Sequence, residues 1–205
     1  DTFSLPHSIP ETMGLVIRGQ RERLVCLGDF KFNGMEPRQK AEAIAALSRI
    51  AQEPVDVLSL NIINAHLKGF VPLEALVIDG LTNIMARAKG RVIVACFSTN
   101  LERIRRIAEA AQILGRPVAF VGAGMKNSQE LLGIKTEEEA VEEEKTVIFV
   151  TGCQAEENSV LWRIAKEQNP PFELRAASDA LVSSARCIPG DEGEVRQLFT
   201  DLRPK

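Results

Sequence analysis

"RVIVACFSTNLERIRRIAEAAQILGRPVAFVG", residues 91–122, decides the fold class. RVIVACF is apolar without alternation, which is the pattern of a strand covered on both faces. Asn100 then stands where a helix cap belongs, and Leu101, Ile104, Ile107, Ala111 and Leu114 recur at helical spacing before Gly115 stops the helix. PVAFVG (117–122) starts a second strand. A helix between two apolar strands predicts a crossover, and therefore parallel pairing.

The alternation continues on both sides. Downstream come a helical stretch to about residue 134, the strand TVIFVTG (146–152), the helix NSVLWRIAKEQ (158–168), the strand ALVSSA (180–185) and the helix EGEVRQLFTDL (192–202). Upstream, PLEALVIDGLTNIMARAK (72–89) predicts a helix with Leu73, Val77, Leu81, Ile84 and Ala88 on one stripe. Before it, MGLVIR (13–18) and RLVCLGDF (23–30) flank the polar GQRE and predict a hairpin. PRQKAEAIAALSRIAQ (37–52) predicts a helix with Ala41, Ile44, Leu47 and Ile50 inward, and VDVLSLNI (55–62) a strand ending in the polar NAHLKG. The expected class is α/β, with a Rossmann-like, mainly parallel sheet flanked by helices. No internal repeat is present.

Composition excludes several functions. The 205 residues carry a net charge of −3, so any nucleic-acid contact must be a local patch rather than a broad basic face. The acidic run EEEAVEEE (137–144) reads as a solvated edge along which RNA should not run. Cys26, Cys96, Cys153 and Cys187 form no CxxC and read as reduced thiols, three of them in or beside apolar runs. No window is apolar enough to span a membrane, and DTFSLPHS lacks the basic and apolar regions of a signal peptide; the expected location is cytoplasmic. The chain begins at Asp1 without a methionine, as a portion of a longer protein would.

In a parallel sheet, ligands gather beyond the carboxyl ends of the strands. Four loops there are small and polar: FSTN (97–100), GAGM (122–125), TGCQAEENS (151–159) and SSARCIPGDE (183–192). Each leads into a helix, where backbone N–H groups can meet a phosphate. None is GxGxxG or a P-loop, so a free nucleotide-binding Rossmann-like domain lacks its signature and stands only as an alternative. The only histidines are His7 and His66, so no HxH or HxxxH pair of metal ligands exists. His7, after Leu5 and Pro6, and Asp29, after a strand and a glycine, remain candidates at strand ends.

HSIPETMGLVI (7–17), GDFKF (28–32), an NA loop (64–65), GRVIVACFSTNLERI (90–104), VTGCQAEENSVL (150–161) and IPGDE (188–192) occur in an order that resembles ribonuclease J, a β-CASP member of the metallo-β-lactamase superfamily. The resemblance runs from about residue 4 to 200. It implies a metal-dependent hydrolase with a two-metal site, usually zinc, that degrades RNA from the 5′ end with some internal cleavage. On it, His7 is a metal ligand and Asp29 the metal-bridging aspartate. Ser98, Thr99, Thr151, Gly152, Cys153, Gln154, Ser159, Ser184 and Gly190 are the expected RNA or phosphate contacts.

The resemblance also implies a division. Residues 1–65 correspond to part of a metallo-β-lactamase-like αββα domain, and 66–205 to the β-CASP domain. The family's HxHxDH motif lies upstream of this stretch and its last histidine motifs downstream, so zinc binding is expected to be weak or absent in this chain and the chain inactive alone. Its partner would be the remaining part of a longer ribonuclease J-like chain, or further copies, as in the family's dimers and tetramers.

Three departures bear on activity. LNIINA places Asn61 where the family's SDSTNA has a carboxylate near the metals. TGCQAEENSVL stands for TGSQGEPMSAL, and VGAGM for VGRSM, which brings in Glu157 and removes a guanidinium at Ala123. These favour, as a second alternative, a non-catalytic RNA-binding or assembly partner.

Overall fold

The computed structural model describes residues 1–35, 37–63, 65–69, 71, 73–136 and 138–202. It divides into two compact units, residues 1–74 and 75–205. Asn64, in the NA loop of the resemblance, and Glu137, at the head of the acidic run, lie outside the described residues.

The first unit is built on a four-stranded sheet in the order β1 (Thr2–Ser4), β2 (Met13–Arg18), β3 (Arg23–Cys26), β4 (Val57–Ser59). The expected hairpin is β2–β3, with Val16 opposite Val25 and Leu15 opposite Cys26. β1 adds an antiparallel edge too short and polar to be legible in the sequence, and β4 pairs parallel to β3 through the crossover helix α1 (Pro37–Ile50). Strand alternation sends Val16 and Val25 into a small core with Leu5 and Leu27, packed by Phe3, Phe30, Leu47 and Ile50. Met13, Leu15, Ile17 and Val57 point to the other face and are exposed.

Helix α1 turns half of the expected stripe inward. Leu47 and Ile50 pack on the core and Ala43 and Ala46 are buried beside them, whereas Ala41 and Ile44 face solvent. Arg23 ends this helix. Its buried guanidinium donates to the carbonyls of Ile50, Glu53 and Pro54, and its backbone N–H to Asp56, which satisfies carbonyls that a helix terminus leaves open.

The second unit holds four parallel strands in the order β6 (Val118–Val121), β7 (Val147–Val150), β5 (Val92–Ala95), β8 (Ala180–Ser183). Alternation along β5 and β7 divides the core between two faces. Val92, Val94, Val147 and Phe149 meet α2 (Glu74–Arg87), α3 (Leu101–Ile113) and α4 (Ala123–Leu132). Ile93, Ala95, Ile148 and Val150 meet α5 (Val160–Ala165) and α6 (Glu192–Asp201). Helices therefore cover both faces, and the continuous apolar runs are explained.

Asn100 caps α3 by accepting from Arg103 N at 3.3 Å, and Gly133 ends α4 with φ 63°. The α2 stripe is largely as expected: Leu81 is buried and Val77 and Ala88 pack against the core, joined by buried Met85, while Ile84 and Leu73, the latter just before the helix, are exposed. The acidic run forms a short 3₁₀ turn at Glu138–Glu142, pinned by buried Ala140, whose carbonyl accepts from Thr146 Oγ1 at 2.7 Å.

Candidate functional site

Three strand ends converge in the first unit. The ladder between β3 and β4 runs on past the strands, with Leu27 N–H donating to Ser59 O at 2.8 Å and Asn61 N–H to Gly28 O at 3.3 Å. Gly28 takes φ 60°, which turns the chain so that Asp29 stands beside Asn61. Lys31 N–H donates to Pro6 O at 2.7 Å and ties the His7 loop to the same place.

Within this cluster Asn61 Nδ2 donates to Asp29 Oδ1 at 2.6 Å, and Asn61 Oδ1 accepts from Ile63 N at 2.8 Å. His7 Nδ1 accepts from Ile9 N at 3.4 Å. Partial burial holds the His7 pKa below its usual value, against the pull of Asp29 and with help from Lys31. A neutral imidazole is the ligating form. His7, Asp29 and Asn61, proposed from sequence as one centre, are thus brought together.

The donor set of this centre falls short of the two-metal site that the resemblance implies. Imidazole and carboxylate suit zinc, but Asn61 turns its NH₂ to Asp29 and spends its oxygen on Ile63. Among the described residues no group of three or more His, Cys, Asp or Glu is placed to hold a metal ion. The residues present do not fit a two-metal centre by themselves.

The second unit presents its loops at the carboxyl ends of the strands. After β5, Ser98 O accepts from Ser128 Oγ at 2.7 Å, and the same hydroxyl donates to Gly124 O at 2.9 Å, joining the first two loops. A Cβ on Gly124 would lie 3.1 Å from Ser98 Oγ, so the glycine permits this approach. After β7, Thr151 Oγ1 accepts from Val160 N at 3.3 Å and Ser159 caps α5. Gly152 has φ 113°, and a Cβ there would meet Ser159 Oγ at 2.7 Å.

Gln154 binds the loops after β7 and β8 to each other. Its buried amide donates to Arg186 O at 3.0 Å and accepts from Ile188 N at 2.9 Å. Gly152, Cys153 and Gln154 are buried, so their side positions shape the rim rather than line it. Burial, then Glu156, pushes the Cys153 thiol up to about 12, and burial, then Cys153, does the same to Cys96. Thr99 and Gly190 stay accessible at the surface, with Gly190 at φ 110° and its N–H donating to Glu192 Oε2 at 2.8 Å.

Ser184 is the least satisfied residue of the rim. Its backbone donates to Ala95 O at 2.7 Å and accepts from Arg103 Nη1 at 2.5 Å, yet its buried Oγ has no hydrogen-bond partner among the described residues. The Arg103 contact and the Ser128 bridge were not anticipated from sequence. Their one signal is position, in the helices that follow the loops. Two hollows of this unit, about 820 and 720 Å³, lie along β6 near Arg116, Ile134 and Thr136.

Residues 89–202 match the family model described as the β-CASP domain of ribonuclease J. The chain is 35% identical to ribonuclease J of Sinorhizobium meliloti over 98% of its own length and 38% of the relative's. It is 31% identical to ribonuclease J of Thermus thermophilus, covering 98% and 37%, and 29% identical to ribonuclease J2 of Bacillus subtilis, covering 93% and 36%. The chain therefore spans somewhat over a third of these relatives. A crystal structure of a protein of unknown function from Enterococcus faecalis shares the fold, with TM-score 0.55 at 12% identity over 96% of this chain and 55% of that one. With a parallel sheet clad by helices on both faces and the family's β-CASP domain over 89–202, the chain belongs to the ribonuclease J family.

Proposed function

We propose that the chain serves an RNA-directed nuclease of the ribonuclease J type, with residues 66–205 as the β-CASP portion that holds single-stranded RNA and residues 1–65 as part of a metallo-β-lactamase-like αββα portion. The observation that carries the RNA reading is the set of loops after the parallel strands, which hold the hydroxyls of Ser98, Thr99 and Thr151, the accessible Gly190, and Arg103 bound to the Ser184 carbonyl, in a domain of this family. Hydroxyls, backbone N–H groups and a guanidinium are phosphate-contacting chemistry.

His7 and Asp29 are proposed as this chain's share of a zinc centre whose other ligands come from elsewhere in the whole protein. Hydrolysis by the 205 residues alone is not expected, since their own donors do not complete that centre. The exposed apolar face of Met13, Leu15, Ile17 and Val57 supports an assembly role, as a surface to be covered by the remaining part of a ribonuclease J-like chain or by another copy. No described helix is long and apolar enough to cross a membrane, and a cytoplasmic location is proposed. The test is incubation of 5′-monophosphorylated RNA with the chain and zinc, manganese or magnesium. No loss of 5′ nucleotides is expected; loss abolished by His7→Ala or Asp29→Ala would overturn the inactive reading.

A further inference from the structure

The orientation of the Asn61 amide is settled by its second contact. Because Oδ1 accepts from Ile63 N, Nδ2 must face Asp29 Oδ1; turned over, the amide would set its oxygen against a carboxylate and its NH₂ against an N–H. Both side chains stand exposed at the ends of neighbouring parallel strands. A carboxylate held against a second residue at 2.6 Å needs a proton or a cation between them, and here the amide provides the hydrogen.

From this geometry we propose that Asn61 is a positioning residue that makes the Asp29 centre independent of divalent cations, its N–H filling the place of a cation shared between two carboxylates. The proposal rests on reading His7 and Asp29 as this chain's part of a metal centre, and it adds that the centre is held together in the absence of metal. Asn61→Asp is nearly the same shape but replaces NH₂ by oxygen. Two carboxylates at hydrogen-bond distance repel, and either protonation of one or a divalent cation between them relieves the repulsion. A cation that binds only the folded state then raises stability with its concentration.

The experiment compares thermal unfolding of the wild-type chain and Asn61→Asp in EDTA and across a manganese titration at neutral pH. The wild type is expected to unfold at the same temperature throughout. Asn61→Asp is expected to lose about 4 °C or more in EDTA and to regain most of it, saturably, with manganese. An equal manganese response in the wild type, or an Asn61→Asp variant as stable as wild type in EDTA, overturns the proposal. Should the variant not fold, the wild type decides: the Asn61 side-chain NH₂ resonances are expected to persist during the manganese titration, and their selective, saturable broadening overturns it. RNA binding by the wild type, measured on the same preparation, tests the RNA reading separately, because its rim lies in residues 75–205.

Discussion

Gln154 and Arg186, far apart in sequence, are joined by a buried hydrogen bond from the Gln154 amide to the Arg186 carbonyl at 3.0 Å, and the same amide accepts from Ile188 N. One side chain therefore links the loops that follow β7 and β8, two strands that β5 separates in the sheet. Gln154→Ala would leave a carbonyl and an N–H without partners inside the rim, at a cost of about 1–3 kcal/mol. The expected outcome is faster hydrogen exchange at Ile188 with β5 and β7 still protected. Unchanged exchange at Ile188 would show that the amide does not hold the loop.

At the opposite ends of the strands, Arg91 and Asp179 form a pair only 1% and 5% exposed, with Nη2 2.5 Å from Oδ2. Arg91 also donates to Val141 O and Glu173 O and lies over the Phe172 ring. Asp179→Ala would bury an uncompensated guanidinium, which typically costs about 3–5 kcal/mol, whereas replacing both partners with apolar residues costs far less. Denaturant unfolding of Asp179→Ala and of the double variant Arg91→Met/Asp179→Leu checks this. The double variant is expected to be the more stable.

The fold was legible where burial is two-sided. VIVA and VIFV are uniformly apolar because both of their faces are covered, and no other reading suits runs so short between capped helices. Helix faces were less legible. In α1, Leu47 and Ile50 pack as the spacing suggests, but Ala43 and Ala46 are buried and Ile44 is not, because the partner sheet and not the helix decides which side of the stripe is covered. His7, Asp29 and Asn61 were found through their motifs, yet the direction of the Asn61 amide depends on Ile63, whose backbone contact leaves no trace in the sequence. Gln154 and Cys153 were expected as RNA or phosphate contacts and are buried in the structure, since a motif holds scaffold and surface residues alike.

Thiol chemistry gives an independent check of that burial. Cys96 and Cys153 are both 1% exposed, with pKa values raised from 9.0 to about 12, so their thiolate fraction near pH 8 is lower by about a thousandfold. In the folded chain both are expected to resist iodoacetamide while Cys187, raised by slight desolvation and by Glu192 and Asp191 but partly exposed, reacts slowly. Peptide mapping after timed labelling, with and without denaturant, distinguishes them. Native labelling of Cys153 as fast as Cys187 would show the TGCQ loop to be open.

RNA binding should be weak and dependent on salt. The rim offers several hydroxyls and N–H groups, but Glu157 is exposed beside them and the chain carries a net charge of −3, so phosphate finds donors more readily than positive potential. A dissociation constant on the order of 10–100 μM for single-stranded RNA is expected at physiological salt, as for non-specific association. The Pro-Met that the resemblance sets against Glu157–Asn158 is not the informative substitution, because Asn158 sits at φ 61°, a conformation asparagine adopts more readily than methionine. Glu157→Gln removes the charge without that strain and is expected to tighten binding several-fold at low salt and hardly at all at high salt. Ser184→Ala removes a buried hydroxyl that lacks a partner among the described residues, so it is expected to leave RNA binding unchanged and stability unchanged or slightly raised. Fluorescence anisotropy at two salt concentrations, paired with thermal unfolding of each variant, separates these effects. Sub-micromolar binding insensitive to salt, or tighter binding of mononucleotides than of RNA, would show the rim to be a nucleotide site instead.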